Sequence, residues 1–271
     1  FGNHASRDVD GGFYYRNPNT RGGVYAGPKV TVDDVEYDSV LVGDMTPDDG
    51  NSCAPLRLDA NGIPIASDLA AVTADPNCWS FVEMFPGGFT PNFGGNITDT
   101  ALAVGTKGEF KEGFMSGVLY DFSGVVGRSE SAFQLFNSVN ASLGPDTPTD
   151  FEAGKYIQLE KTFSADFVKY VSAGLYEDLT IAFGAQWTEE SFEIVAGEQA
   201  SWEVGPYVDQ LSNGSNGFPG FQPQTAGTST RRNYAAYVDV EAEFTEHFLG
   251  ALALRFEDYD SFGTTTNYKL T

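Results

Sequence analysis

From residue 97 onward, apolar and polar side chains alternate with a period of two. In residues 233–244 the even positions Tyr234, Ala236, Val238, Val240, Ala242 and Phe244 are apolar, and the odd positions include Tyr237, Asp239, Glu241 and Glu243. After Thr245-Glu246-His247-Phe248, Leu252, Leu254 and Phe256 alternate with Ala251, Ala253, Arg255 and Glu257. Strand side chains point to opposite faces in turn, so this pattern predicts two amphipathic strands joined by a tight turn. The same reading predicts strands over residues 97–110, 114–136 and 155–171 and another beginning near Leu179. Phe163, Ala165 and Phe167 alternate there with Ser164 and Asp166, and Ile181, Phe183, Ala185 and Trp187 with Thr180, Gly184, Gln186 and Glu190.

The connections sort by length. Short turns near Lys111, Glu177 and Glu246 alternate with long excursions before Ile97, over 137–150 and over 195–232. In an up-and-down meander, the short turns then fall at one end and the long loops at the other. Residues 1–96 read as a mainly loop region, rich in Gly, Pro, Asp and Asn, with short strands near 12–15 and 35–42. A short helix is predicted over 67–73, with Ser67 as N-cap and Pro76 beyond its end. Residues 97–271 form the strand region. Both termini are expected to be cut from a longer chain, since Phe1 opens without an initiator Met and Lys269-Leu270-Thr271 reads as the start of a further strand.

Composition changes what the faces are expected to meet. The chain of 271 residues carries a net charge of -23, with 31 Gly, 22 Phe and 13 Tyr. Such a charge excludes nucleic acid as a partner, because the phosphate backbone would be repelled. No apolar run is long enough for a membrane helix, but a transmembrane barrel hides its apolar residues by alternation. The predicted strands exceed the usual globular length of about 5–6 residues and reach the roughly 9–11 that span a bilayer. Tyr120, Tyr170, Trp187, Tyr234 and Phe244 are read as interfacial aromatics on the apolar face.

The expected fold is therefore all-β. An antiparallel up-and-down meander forms part of a transmembrane β-barrel, with long extracellular loops and short periplasmic turns. Charged side chains are costly against lipid, so Asp121, Glu160, Asp166, Glu190, Asp239, Glu241 and Glu243 are assigned to a hydrated lumen wall. That acidic row reads either as a wall contacting basic partners or as a cation-attracting path. An amphipathic sheet over a soluble core gives the same alternation, and its functional counterpart is a secreted acidic β-rich binding protein.

Candidate chemistry is sparse. Cys53 and Cys78 lie in a loop-like segment without further metal ligands nearby, and a disulfide between them is expected, with two unpaired thiols as the alternative. Closing that loop would stabilise the chain by about 3 kcal/mol and implies an oxidising compartment. His4 lies near an end expected to be truncated, and His247 is read as a solvated turn residue. Asp8-Val9-Asp10-Gly11 lacks the rest of a calcium loop and is read as a solvated acidic loop. No phosphate-binding glycine loop and no nucleophile elbow occurs. No catalytic residue, metal or cofactor is assigned. Ligand contact is assigned to loop aromatics expected to be exposed: Phe81, Phe85, Phe89, Trp202, Tyr207, Phe218 and Phe221.

Several stretches carry a resemblance. Arg255-Phe256-Glu257-Asp258-Tyr259, followed by Ser261-Phe262-Gly263-Thr264-Thr265-Thr266-Asn267, resembles a segment common in the barrels of TonB-dependent outer-membrane receptors. Ala182-Phe183-Gly184-Ala185-Gln186-Trp187 resembles the strand that usually precedes it. Met84-Phe85-Pro86-Gly87-Gly88-Phe89-Thr90-Pro91 and Ser138-Val139-Asn140-Ala141-Ser142-Leu143-Gly144-Pro145 are similar to stretches of one branch of that family. The similarity covers most of residues 77–271. It implies a barrel of about 22 strands around an N-terminal plug. Such receptors sit in the bacterial outer membrane and import a scarce nutrient, such as an iron-siderophore or a glycan. The energy comes from an inner-membrane complex through a TonB-type coupling protein. Neither plug nor coupling segment is found in this sequence, and the strands are too few to close such a barrel. A middle piece of a receptor barrel is the expectation. A porin-like diffusion channel is the alternative within the membrane.

Overall fold

The structure is a computed structural model and describes residues 1–17 and 24–271. Residues 18–23, within the expected loop region, lie outside the described residues. Strand β1 (Gly2–Gly12) is followed by short strands β2 (Val30–Val32), β3 (Val35–Tyr37), β4 (Ser39–Val40), β5 (Gly43–Asp44) and β6 (Leu56–Arg57). Helix α1 (Ala66–Ala74), strand β7 (Cys78–Trp79) and helix α2 (Phe81–Met84) complete that region. The long strands come next: β8 (Asn92–Glu109), β9 (Val118–Phe136), β10 (Phe151–Val171), β11 (Leu179–Val195) and β12 (Gly227–Thr245). The chain ends with β13 (Phe248–Tyr259) and β14 (Gly263–Leu270), and a one-turn helix α3 (Gln199–Trp202) lies between β11 and β12.

One antiparallel sheet of eight strands dominates, in the order β1-β8-β9-β10-β11-β12-β13-β14. The expected meander is therefore present, as an open sheet whose two edges among the described residues are β1 and β14. Three turns lie at one end, over 110–117, 172–178 and 246–247, and the excursions over 13–91, 137–150 and 196–226 lie at the other. The segregation has one exception. The link 260–262 between β13 and β14 is a short turn at the long-loop end.

Several boundaries differ from the sequence reading. Residues 2–12, expected to be loop, form a strand paired with β8 from Gly2↔Leu102 to Gly12↔Asn92. This segment is exposed along its whole length and shows no apolar alternation, so its strand state comes from backbone pairing to a distant partner rather than from its own pattern. Residues 114–117 belong to a turn, where Gly113 and Gly117 both adopt positive φ that suits glycine. Helix α1 starts one residue early, with Ile65 at the N-cap and no side-chain cap bond; Ser67 instead donates to Asp68 Oδ1 at 3.2 Å. A capping box does occur at α2, where Ser80 and Glu83 bond reciprocally.

Continuous register sorts the side chains into two faces. Phe163↔Trp187↔Tyr234, Ala165↔Ala185↔Ala236 and Phe167↔Phe183↔Val238↔Leu254 form successive rungs of one face. This apolar belt continues through Phe122 and Val126 to Leu102 and Val104. It is uncovered: Val104 is 66%, Phe163 50% and Tyr234 59% exposed. Tyr170 is a correction, since it pairs with Thr180 in the same register as Asp166 and lies on the opposite, polar face.

The hydrophobic core lies outside the sheet. Val24, Tyr25, Leu56, Val72, Phe81 and Val139 are among its fully buried members, and all belong to the excursions. The three long connections pack into one loop cap. Asn140 pins it, donating through Nδ2 to Ala200 O and Glu203 O, both at 2.9 Å. Gln210 bonds both backbone groups of Asp44, accepting from its N at 2.8 Å and donating to its O at 3.2 Å. The chain exposes 15736 Å². A folded monomer of 29.2 kDa should expose about 11,500 Å² by surface scaling. The excess reflects a wide sheet whose apolar face is uncovered and whose polar face meets the cap at its long-loop end.

Candidate functional site

The polar face of the sheet gathers the ionisable side chains. Asp121, Glu160, Asp166, Glu190, Asp239, Glu241 and Glu243 all lie on it, as their alternation required. The register also makes pairs that the sequence did not display. Asp121 stands directly opposite Asp166, and Glu160 opposite Glu190. Like charges opposed across a ladder repel, so each pair is steadied by a neighbour. Tyr237 Oη donates to Asp166 Oδ1 at 2.6 Å, and Arg231 Nε donates to Glu190 Oε2 at 2.8 Å with a second contact from Nη2. Arg255 donates to Gln186 Oε1 at 2.9 Å and to Glu257 Oε1 at 3.1 Å. Asp239 and Glu241 face Ala182 and Thr180, and with Tyr237, Leu254, Arg255 and Lys269 they border a mainly apolar, open concavity of about 590 Å³.

The predicted loop aromatics are a correction. Phe85, Trp202, Tyr207, Phe218 and Phe221 are half-buried rather than fully exposed. Phe81 and Phe89 are buried in the loop core, with Phe81 edge-on to Trp79 at 4.3 Å and Phe89 at 5.0 Å from Phe85. Trp202 donates from Nε1 to Gly197 O at 3.0 Å, and Tyr207 packs against the same core. These rings hold the cap together because an excursion this long buries aromatic surface of its own. Phe218 and Phe221 point elsewhere. They meet Phe93, Phe133 and Tyr156, which project from the polar face at its long-loop end. Gly154, with φ of 115°, makes room for this docking; a Cβ there would stand 2.7 Å from the Phe221 ring.

The disulfide is present. Cys53 and Cys78 are bonded, with Cα atoms 5.7 Å apart. The bridge ties β7 to the loop after β5. Close by, Arg57 donates from Nε and Nη2 to Asp68 at 2.6 and 2.9 Å, and this guanidinium holds the Asp68 carboxyl below its ordinary range. Burial pushes the Tyr25 phenol well above its ordinary value, and its hydroxyl donates to Phe85 O at 3.0 Å.

The sequence reading missed Tyr156, Gln158, Phe192 and Arg231, which also line the polar face near the cap. Counting in twos from Asp166 and Glu190 would have placed the first three there. Arg231 required the register between β11 and β12, because the alternation fades where the strands enter the loops. No protein-family model, curated protein or solved structure matches this chain.

Proposed function

We propose that this chain is part of a bacterial outer-membrane β-barrel of the TonB-dependent receptor type, which imports a scarce nutrient across the polar face. The observation that carries the membrane reading is the uncovered apolar belt backing an acidic face. Soluble monomers rarely expose contiguous apolar patches beyond a few hundred Å². This belt crosses the rungs of seven strands. Its height is also suitable. Tyr234 and Phe244 bound it on β12, ten positions apart. That is roughly 33 Å along a strand, and about 25 Å along the membrane normal at the usual barrel tilt. Just beyond Trp187 and Tyr234 the same face turns ionic, with Lys161 and Arg232 both paired to Glu189 at 2.9 and 2.8 Å. Charges there would meet headgroups and water, while lysine stems snorkel along the belt.

The turns over 110–117, 172–178 and 246–247 are then periplasmic, the cap and the 260–262 link are extracellular and the acidic face is the lumen wall. The energised-receptor reading rests on the family resemblance, and the acidic wall suits a basic plug inside it. The inward-packed Phe218 and Phe221 favour a second reading, a diffusion barrel narrowed by its own loop.

Single cysteines at Val238 and Asp239, in the full-length protein in cells, test the membrane reading. A water-soluble maleimide should label Asp239→Cys and spare Val238→Cys; the reverse pattern overturns the barrel. Uptake abolished by an uncoupler supports the receptor, and uptake indifferent to it supports the diffusion barrel.

A further inference from the structure

Two adjacent rungs of the polar face form a groove below the cap. One rung is Gln158↔Phe192↔Ser229 and the next is Glu160↔Glu190↔Arg231. The groove, of about 380 Å³, is lined by Gln158, Glu190, Phe192, Ser229 and Arg231, with Ser261 of the β13–β14 turn at its rim. Small-molecule sites run upward from roughly 300 Å³. Its chemistry is mixed in a specific way. Phe192 is 44% exposed and stands 5.3 Å from Tyr156, so the groove has an aromatic wall backed by a second ring. The floor is the Arg231–Glu190 fork, which offers donors and an acceptor side by side. The guanidinium is steadied from its other side by the Tyr259 ring, 5.7 Å from its centre, and Tyr259 is itself stacked on Phe262. The fork is thus pre-oriented before any ligand arrives.

The charges select against one large class of nutrient. Glu160 and Glu190 face a single Arg231, so the two rungs carry a net charge of -1 within a chain of -23. An anionic ferric chelate would be repelled by this wall. A ligand with one apolar ring face and many hydroxyls has no such penalty. Its hydroxyls both donate and accept, and they match the amide, carboxylate, guanidinium and serine groups at this spacing.

We infer that this groove binds an uncharged saccharide, with one sugar face on Phe192 and adjacent hydroxyls on Arg231, Glu190 and Gln158. The inference rests on the reading of the polar face as the wall of an aqueous passage, and it narrows the nutrient to a class.

The test uses full-length protein in detergent and an array of uncharged oligosaccharides, with an anionic ferric tris-catecholate as the contrasting probe. The best-bound sugar is then titrated against Phe192→Ala, Phe192→Leu and Arg231→Lys. Arg231→Lys keeps the charge and loses the fork, and Phe192→Leu keeps bulk if the alanine variant fails to fold. The expected result is saccharide binding that weakens tenfold or more in each folded variant, with no binding of the tris-catecholate. No binding anywhere on the array, binding unchanged in the variants, or Phe192-dependent binding of the tris-catecholate overturns the inference. The cysteine labelling at Val238 and Asp239 separates the two failures. If labelling follows expectation and the array is empty, the barrel stands and the saccharide groove falls.

Discussion

Tyr237 and Asp166 are joined across a strand that lies between them. They belong to β12 and β10, and the hydroxyl reaches Asp166 Oδ1 at 2.6 Å over Gly184 of β11. All three residues share one rung. A Cβ at Gly184 would stand 2.6 Å from the Tyr237 ring, 2.7 Å from Ala165 O and 2.8 Å from Asp166 Oδ1. The glycine is therefore the gap through which two non-adjacent strands are tied, and the tie holds an aspartate that would otherwise face only Asp121.

Gly184→Val should close that gap and force the Tyr237 ring off the sheet. Overpacking of this kind costs about 1–3 kcal/mol. Urea unfolding of detergent-folded protein measures it. Gly127→Ala is the control, because that position on β9 opens onto empty space. Equal stability of the two variants would remove the role given to Gly184.

Val238→Arg places a charge within the apolar belt, where a basic side chain facing lipid costs about 2–4 kcal/mol. Folding yield into lipid vesicles should fall accordingly. Ala253→Arg, on the polar face, should fold like the parent. A harmless Val238→Arg would mean that water, not lipid, covers this face.

Loss of the Cys53–Cys78 bridge should act on the cap alone. Its separation of 25 residues corresponds to about 3 kcal/mol of loop closure. Cys53→Ser with Cys78→Ser should expose residues 44–91 to protease while the β-sheet circular dichroism persists. Protease resistance equal to the parent would show that the packed aromatics suffice without the bridge.

The cap should also respond to pH at both extremes. The Asp68 carboxyl is held below its ordinary value of 3.8 by Arg57, so it stabilises the cap fully above the unfolded value and loses that effect as pH falls through the folded one. The protection of the Arg57 amide against exchange, relative to its intrinsic rate, should fall below about pH 4, because its N donates to Asp68 at 3.1 Å. In Asp68→Asn the protection, taken relative to the intrinsic exchange rate, should not change with pH there. Tyr25 runs the other way. Its buried phenol resists ionisation, so its contribution is present below the ordinary value of 10.0 and declines as pH rises beyond it. Tyr25→Phe should remove about 1 kcal/mol at neutral pH and blunt the alkaline loss, both visible in cap proteolysis.

The sequence alone determined the long strands, the two faces and the order of the connections. These follow from a period of two, a local property that each strand states independently. It also brought Cys53 and Cys78 together, because few chemical partners were available to them. Tertiary structure decided the rest. Strand β1 has no internal pattern and exists through its pairing with β8. Phe81 and Phe89 are buried because three distant excursions share one core, and no local signal separates a packed loop aromatic from a ligand-facing one. The Tyr237–Asp166 tie and the groove at Phe192 and Arg231 depend on register between strands, which places residues from separate segments on one rung.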